Sequence, residues 1–338
     1  MITNAIVKTY FKYSGYLFRI FPGLLSHILP RTLVVEASNI CMLKCPACAT
    51  VNASTREKGI MSFDTFKHII DSTDWKIKRI NFSYAGEPLI NPVLAKMIRY
   101  AKEKGINSIV ETNGMLLEER AIELVGCGLQ KLSIAFDGIN QDMVSKYRRG
   151  IDFEKVILGI KRIVSEKKEH LSQFPEIHLQ LIVMKHNQAY LNQVISMAKT
   201  LGADFLDIKT MILAGGHGLC EDEKGKLAKE FLPTKKEYLR YQSGVSEWRL
   251  KSNSRRFCSH ILSDTVIMWN GDVTICTMDV GGKLVVGNIL NEPLGKIWRG
   301  MKYRRMRKYA LNGSLSECSS CAYLVSDFRS VNLRKTGK

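Results

Sequence analysis

Apolar positions follow two alternating rhythms from residue 31 onward. Short runs rich in β-branched residues lie at 32–38 (TLVVEAS), 79–84 (RINFSY), 107–111 (NSIVE), 130–136 (QKLSIAF), 176–184 (EIHLQLIVM) and 204–212 (DFLDIKTMI). Their length and composition predict strands. Between them, Asn91–Lys104, Leu117–Val125, Phe153–Lys168 and Tyr190–Leu201 repeat their apolar residues at helical spacing. Strands alternating with helices predict a parallel sheet with right-handed crossovers. Six units fall short of the eight that close a barrel. The expectation is an α/β fold, an open, partial (β/α)6 barrel with its chemistry in the loops after the strand C-termini.

Past residue 213 the rhythm changes. Ala214 to Lys229 is Gly-rich, then charged, and reads as a connection. A hairpin is predicted from Thr265–Trp269 and Val273–Thr277, turning at Asn270-Gly271, a strong two-residue turn signal. A basic helix follows from Leu294 to Leu311, then the pair Cys318-Ser-Ser-Cys321. The expected division is an N-terminal basic amphipathic segment (1–30), the barrel (31–213), a connection (214–255) and a small C-terminal α+β domain (256–338). Residues 1–35 contain no Asp or Glu but carry Lys8, Lys12, Arg19 and Arg31 among apolar residues. The favoured reading is a helix packed across one end of the barrel; the other is peripheral contact with an anionic membrane.

Composition narrows the classes. In 338 residues, 45% are hydrophobic, which excludes disorder as the main state. No apolar run is long enough to cross a membrane as a helix. The formal net charge of +18 predicts an anionic partner, such as a phosphorylated small-molecule substrate. Nucleic acid is not expected, since the aromatic-basic interleaving of an RNA module is missing. No small-residue cleavage site follows a compact apolar run near the start, so a cytoplasmic location is expected. The nine cysteines then read as metal ligands or redox groups rather than disulfides. Seven form two sets, leaving Cys127, read as packing, and Cys220.

The first set is Cys41-x3-Cys45-x2-Cys48, just after the first strand. Three close thiolates can hold three irons of a [4Fe–4S] cluster and leave the fourth open to a ligand. Zinc is disfavoured, because the next histidine, His68, lies on a helix. A C-x3-C-x2-C run after the first strand of a (β/α)6 pattern resembles the radical S-adenosylmethionine (SAM) superfamily. Membership implies a TIM-like partial barrel whose open iron binds the SAM amino and carboxylate groups. It also implies reductive cleavage of SAM to a 5′-deoxyadenosyl radical that abstracts a substrate hydrogen atom.

Other residues fall in register with that family. Ala85-Gly86-Glu87-Pro88 resembles its GGEP loop, with Glu87 and nearby backbone meeting the SAM ammonium. Glu111-Thr112-Asn113-Gly114 resembles its TNG element. Ser133 and Asn187 resemble contacts to the SAM ribose or carboxylate, and Arg148 or Arg149 is suited to pair with that carboxylate. The chain departs from the family pattern at Ala47, often aromatic there, and at Ala85, the first glycine of GGEP.

The second set is Cys258, Cys276, Cys318 and Cys321. By spacing alone it suits zinc or a [4Fe–4S] cluster equally. Beside a radical SAM domain it resembles the SPASM and twitch auxiliary-cluster domains. With no cysteine after Cys321 it matches the one-cluster twitch form, and its C-x17-C spacing most resembles aminocyclitol (2-deoxy-scyllo-inosamine) dehydrogenase. The resemblance implies dehydrogenation of a sugar, aminocyclitol or related polyol, the auxiliary cluster taking the second electron. Two alternatives remain. One is a peptide maturase forming a cross-link; the other is an epimerase in which Cys220 returns a hydrogen atom. The proton acceptor of a dehydrogenase is sought among His186, His217, Lys185, Lys209 and Arg148, with His217 and Arg148 placed with Cys220 as catalytic candidates. The stretch Lys302–Lys308 reads as a solvated helix face, or as a surface for an acidic electron donor such as flavodoxin or ferredoxin.

Overall fold

Each of the six apolar runs becomes a strand of one sheet in the computed structural model, which describes residues 29–52, 55–213, 218–242, 258, 260–312, 314–315, 318, 321 and 328–334. The strands are β1 (Thr32–Val35), β2 (Arg79–Phe82), β3 (Asn107–Thr112), β4 (Lys131–Ala135), β5 (Glu176–Val183) and β6 (Phe205–Thr210). All pair in parallel, in sequence order. Most stop short of the expected C-terminal residue, because 36–38, 83–84, 184 and 211–212 leave the ladder to begin the loops of the site. The crossovers are α1 (Phe63–Asp71), α2 (Leu94–Glu103), α3 (Leu117–Gly126), α4 (Phe153–Glu169) and α5 (Leu191–Thr200). Ser62 caps α1 through the Thr65 N–H, and Asp152 caps α4 through the Lys155 N–H, each satisfying a donor the helix itself cannot.

Alternation along the strands separates two faces. Phe82 stacks on Phe66 of α1 with ring centroids 5.6 Å apart, so it faces the outer helices. Its register neighbours Val110 and Leu132 share that side. The residues between them face the concave interior, where Glu111, Ser133, His178 and Phe205 form one cross-strand row. This concave row is polar where the convex one is apolar.

The C-terminal half extends the same sheet. β7 (Asp264–Ile267) pairs in parallel with β1, and β8 (Asp272–Thr274) returns beside it through a turn with Gly271 at φ +87°. A third strand, β9 (Val285–Asn288), follows, which the hairpin signal did not announce. At the opposite edge, β10 (Phe328–Asn332) lies antiparallel on β6. No described helix is long and apolar enough to cross a membrane. Residues 1–28, with most of the N-terminal amphipathic segment, lie outside the described residues, as does His217.

Two expectations need correction. The charged stretch read as a connection contains α6 (Glu221–Phe231), which pairs Glu221 with Lys224 and Asp222 with Lys226 and packs Leu227, Ala228 and Phe231 on the core. The basic helix is two helices, α7 (Leu294–Arg299) and α8 (Met301–Asn312), divided at the extended Gly300. Lys302, Arg304, Arg305 and Lys308 are exposed as expected, but Arg307 is fully buried. Its guanidinium lies 3.8 Å from the Trp298 ring centre and 4.0 Å from that of Tyr303, a double cation–π contact.

α3 and α4 pack closely because Gly159 has no side chain: a Cβ there would lie 2.5 Å from the Leu117 Cβ. Alanine normally favours a helix interior. Here Gly159→Ala is expected to lower stability by about 1–3 kcal/mol through overpacking. Gly126→Ala, with nothing within 4 Å, is expected to be neutral or mildly stabilising. Denaturant unfolding of the two variants checks the contrast.

Candidate active site at the strand C-termini

The loop after β1 carries the first cysteine set. Cys45 is buried, while Cys41 and Cys48 are partly exposed. A tight turn sets their spacing: the Cys48 N–H donates to the Cys45 carbonyl at 3.1 Å, and Val51 and Asn52 N–H groups donate back to Cys48. Lys44 N–H to the Arg149 carbonyl, 2.9 Å, ties the loop to the segment after β4. Burial pushes the Cys45 thiol up to about 11, against the pull of Arg148, and Cys48 and Cys41 raise it further. The three cysteines share the one loop that follows β1. Cys41 is raised by burial too, with Leu43 N–H and the Asn113 amide donating to its sulfur.

The loop after β2 is pressed onto the cysteine loop. Gly86 sits at φ +71°, and a Cβ there would lie 2.3 Å from the Ser38 carbonyl oxygen, so only glycine allows the approach. Glu87 N–H donates to the Ile40 carbonyl at 2.8 Å. The Glu87 side chain is 2% exposed. Its carboxylate accepts from Leu89 N–H (3.1 Å), Thr112 Oγ1 (2.6 Å) and Asn113 N–H (2.7 Å). Burial raises its pKa against these three donors. Glu87 therefore joins the Ala85–Pro88 loop to the Thr112–Asn113 loop. Ala85 and Pro88 are buried beside it, Pro88 opening a short 3-10 turn.

The remaining expected contacts differ in freedom. Ser133 is 1% exposed and its Oγ has no hydrogen-bond partner. Asn187 is already engaged: its amide donates to the Asp137 and Ile182 carbonyls, and its oxygen accepts from Met184 N–H. One acceptor position is left to it. Arg148 donates to Asp137 Oδ2 at 2.6 Å. Burial works against its charge, but Asp137 and Cys45 keep the guanidinium protonated. Asp137, which sequence reasoning missed, also accepts from Ile182 N–H at 2.7 Å. An Asp-Gly pair after a strand signals a turn and nothing about this anchoring.

Cys220 is exposed at the start of α6. His186 packs its ring against Phe231, and burial lowers its pKa, with Lys146 adding to the effect. Lys185 reaches the Lys229 carbonyl, away from the barrel. Of the expected bases with a described side chain, Lys209 alone lies on the concave wall, 2.9 Å from Gln180 Oε1. Exposed Glu111 shares that wall. Cys127 is buried, its thiol pushed up to about 11 by burial, consistent with packing.

Deeper in the barrel the wall is sealed. Asp207 accepts from His178 Nδ1 (2.9 Å), Lys131 Nζ (3.3 Å) and Ser330 Oγ (2.7 Å). His178 stacks on Phe205 with centroids 4.4 Å apart. This joins β4, β5, β6 and β10, and nothing in the sequence pattern announced it.

The second cysteine set gathers around the end of β8. Burial drives the Cys276 thiol up to about 12, and Cys321, Cys258 and Cys318 each add to the shift, so the four lie within electrostatic reach. Met278 N–H donates to the Cys276 sulfur at 3.3 Å. Among the described residues no three His, Cys, Asp or Glu side chains close on a single ion. The donor chemistry fits iron–sulfur clusters at both sets, three thiols in one and four in the other.

Burial raises the Asp207 carboxyl, but His178, Ser330 and Lys131 outweigh it and hold its pKa down at about 2. A depressed folded-state pKa gives stability that is present above the unfolded value of about 4 and lost as pH falls toward 2. Asp207→Asn is expected to flatten the acid limb of unfolding between about pH 4 and pH 2, measured by urea denaturation across that range.

Comparison with known proteins accords with this geometry. Residues 35–184 match the Radical SAM superfamily, and residues 258–322 match SPASM, an iron–sulfur cluster-binding domain. The chain is 30% identical over 177 residues to the AdoMet-dependent heme synthase of Methanosarcina barkeri, covering 52% of this chain and 48% of that protein. It thus spans about half the length of that relative. It is 24% identical over 324 residues to the tungsten-containing aldehyde ferredoxin oxidoreductase cofactor-modifying protein of Pyrococcus furiosus, covering 86% of each. Among solved structures, BtrN in complex with AdoMet and 2-DOIA aligns over 87% of this chain and 93% of its own, with TM-score 0.51 and 19% identity. Streptococcus suis SuiB bound to S-adenosylmethionine aligns over 89% and 74%, with TM-score 0.63 and 14% identity.

Proposed function

We propose that this chain, a radical SAM superfamily enzyme with a C-terminal SPASM-type iron–sulfur domain, is an oxidoreductase that dehydrogenates a sugar, aminocyclitol or related polyol. The observation that carries the reading is the four-thiol set of Cys258, Cys276, Cys318 and Cys321. A cluster held by four cysteines has no open iron, which suits it to electron transfer rather than substrate binding. With a cluster at Cys41, Cys45 and Cys48 and SAM beside it, the chemistry supplied is reductive SAM cleavage and hydrogen-atom abstraction.

Oxidation of a carbinol to a carbonyl removes one hydrogen atom, one proton and one electron. The atom goes to the SAM-derived radical, the electron to the auxiliary cluster, and the proton needs a base. Glu111, an exposed carboxylate facing into the barrel, is assigned that role. Ser133, Gln180 and Lys209 supply the remaining polar wall, which suits a substrate rich in hydroxyl or amino groups. Two sets of reduced cysteines belong in a reducing compartment, and a cytoplasmic location follows. A small acidic carrier such as flavodoxin or ferredoxin would supply the first electron. The exposed thiol of Cys220 at the start of α6 favours one competing reading, epimerisation with Cys220 as hydrogen donor.

Iron and sulfide per chain after anaerobic reconstitution test the cofactor assignment. About eight irons should fall to about four when Cys41, Cys45 and Cys48 are all changed to Ala. Dehydrogenation then requires ketone and 5′-deoxyadenosine in equal amounts. A product isomeric with the substrate, carrying solvent deuterium and lost in Cys220→Ala, would establish epimerisation instead.

Glu111→Gln is expected to retain SAM binding and uncoupled SAM cleavage while ketone formation falls about 100- to 10,000-fold, the range of general base catalysis. Equal ketone formation by the variant would remove Glu111 from the role.

A further inference from the structure

The seam between the barrel and the auxiliary domain is polar and buried, and one residue in it is strained. Tyr84, the residue before Ala85-Gly86-Glu87-Pro88, has φ +108°. A bulky side chain in that region is strained and persists only where its surroundings over-determine it. What holds Tyr84 is its hydroxyl, which donates to the Asp279 carbonyl. Asp279 shapes the loop after Cys276. Its N–H donates to the Cys276 carbonyl at 3.2 Å, and its carboxylate accepts from Thr274 Oγ1 (2.7 Å), Lys283 N–H (2.8 Å) and Leu284 N–H (2.8 Å).

A second strut runs parallel. Arg56, just past the first cysteine set, donates Nε to the Val280 carbonyl at 2.8 Å and pairs with fully buried Glu36 at 2.5 Å. Glu36 directly follows β1 on the way to Cys41, and accepts from Trp269 N–H on the auxiliary hairpin at 3.1 Å. Both struts thus leave the loops that would hold SAM and its cluster, and both end on the loop that follows Cys276.

We propose that Tyr84 is a positioning residue that couples the SAM-binding loop to the auxiliary-cluster loop, so that ligand in the first alters the redox equilibrium of the second. The proposal rests on the two-cluster reading above. Close-packed interiors do not absorb a displacement locally. A ligand that shifts the Ala85–Pro88 loop must therefore move the Asp279 carbonyl or break the hydrogen bond. Linkage makes the effect reciprocal: the oxidation state of the auxiliary cluster then changes the affinity of the SAM site by the same factor.

The test is an EPR redox titration of the reconstituted holoenzyme with and without S-adenosylhomocysteine, which carries the amino and carboxylate groups but lacks the cleavable sulfonium. In the wild type, ligand is expected to change the auxiliary cluster's reduction equilibrium at least threefold. Tyr84→Phe, which removes the hydrogen bond to the Asp279 carbonyl, should bring that ratio down toward onefold. Arg56→Lys, which keeps the charge on Glu36 but loses the fork, should reduce it in the same direction. An absent response in the wild type, or an equal response in wild type and a folded variant, overturns the proposal. The Cys41–Cys48 cluster's own spectral response to S-adenosylhomocysteine reports separately on the cofactor reading and should persist in both variants.

Discussion

An open parallel sheet of six strands has two bare edges, and unpaired backbone at an edge invites other chains. The architecture depends on how those edges are covered. β7 continues the sheet from β1, and β10 closes it at β6, both supplied by the segment that bears the second cysteine set. The auxiliary domain is therefore not an appendage. It pairs with both edge strands of the barrel, and Cys276, just past β8, is carried on the same sheet as β1.

At the strand C-termini the same economy recurs. Glu87 joins two loops, Asp137 joins Arg148 to β5, and Asp207 joins four strands. Each is a buried carboxylate surrounded by donors, stable because the charge is met by several hydrogen bonds at once. Ser133 Oγ, on the concave wall between these junctions, has no partner. Rigid carboxylate junctions of this kind hold the surrounding loops in a fixed arrangement.

The strand pattern and the cysteine spacing were legible because each reflects a local rule. Period-two and helical repeats located all six barrel strands and the main crossovers, and the thiol spacing located both sets. What was not legible depends on contacts between distant segments. β9 is short and half exposed, and its one local cue is the Gly281-Gly282 pair before it. α6 is mostly charged, and only its last turn packs on the core, too short a stretch to show an apolar period. Arg307 lies in a basic run, and only its position one turn from Tyr303 and near Trp298 takes it inside. Glu36, Arg56 and Tyr84 carry no motif at all, since their roles arise only where two segments far apart in sequence meet.

The placement of β10 on β6 bears on how the protein is made. Translation delivers β6 well before β10, with the entire cysteine-bearing segment between them. Until that segment has emerged, a nascent barrel presents an unprotected strand edge, the kind of surface that drives aggregation of intermediates. Expression that outruns the folding of the later segment would therefore yield inclusion bodies, and slower synthesis at lower temperature would raise the soluble fraction.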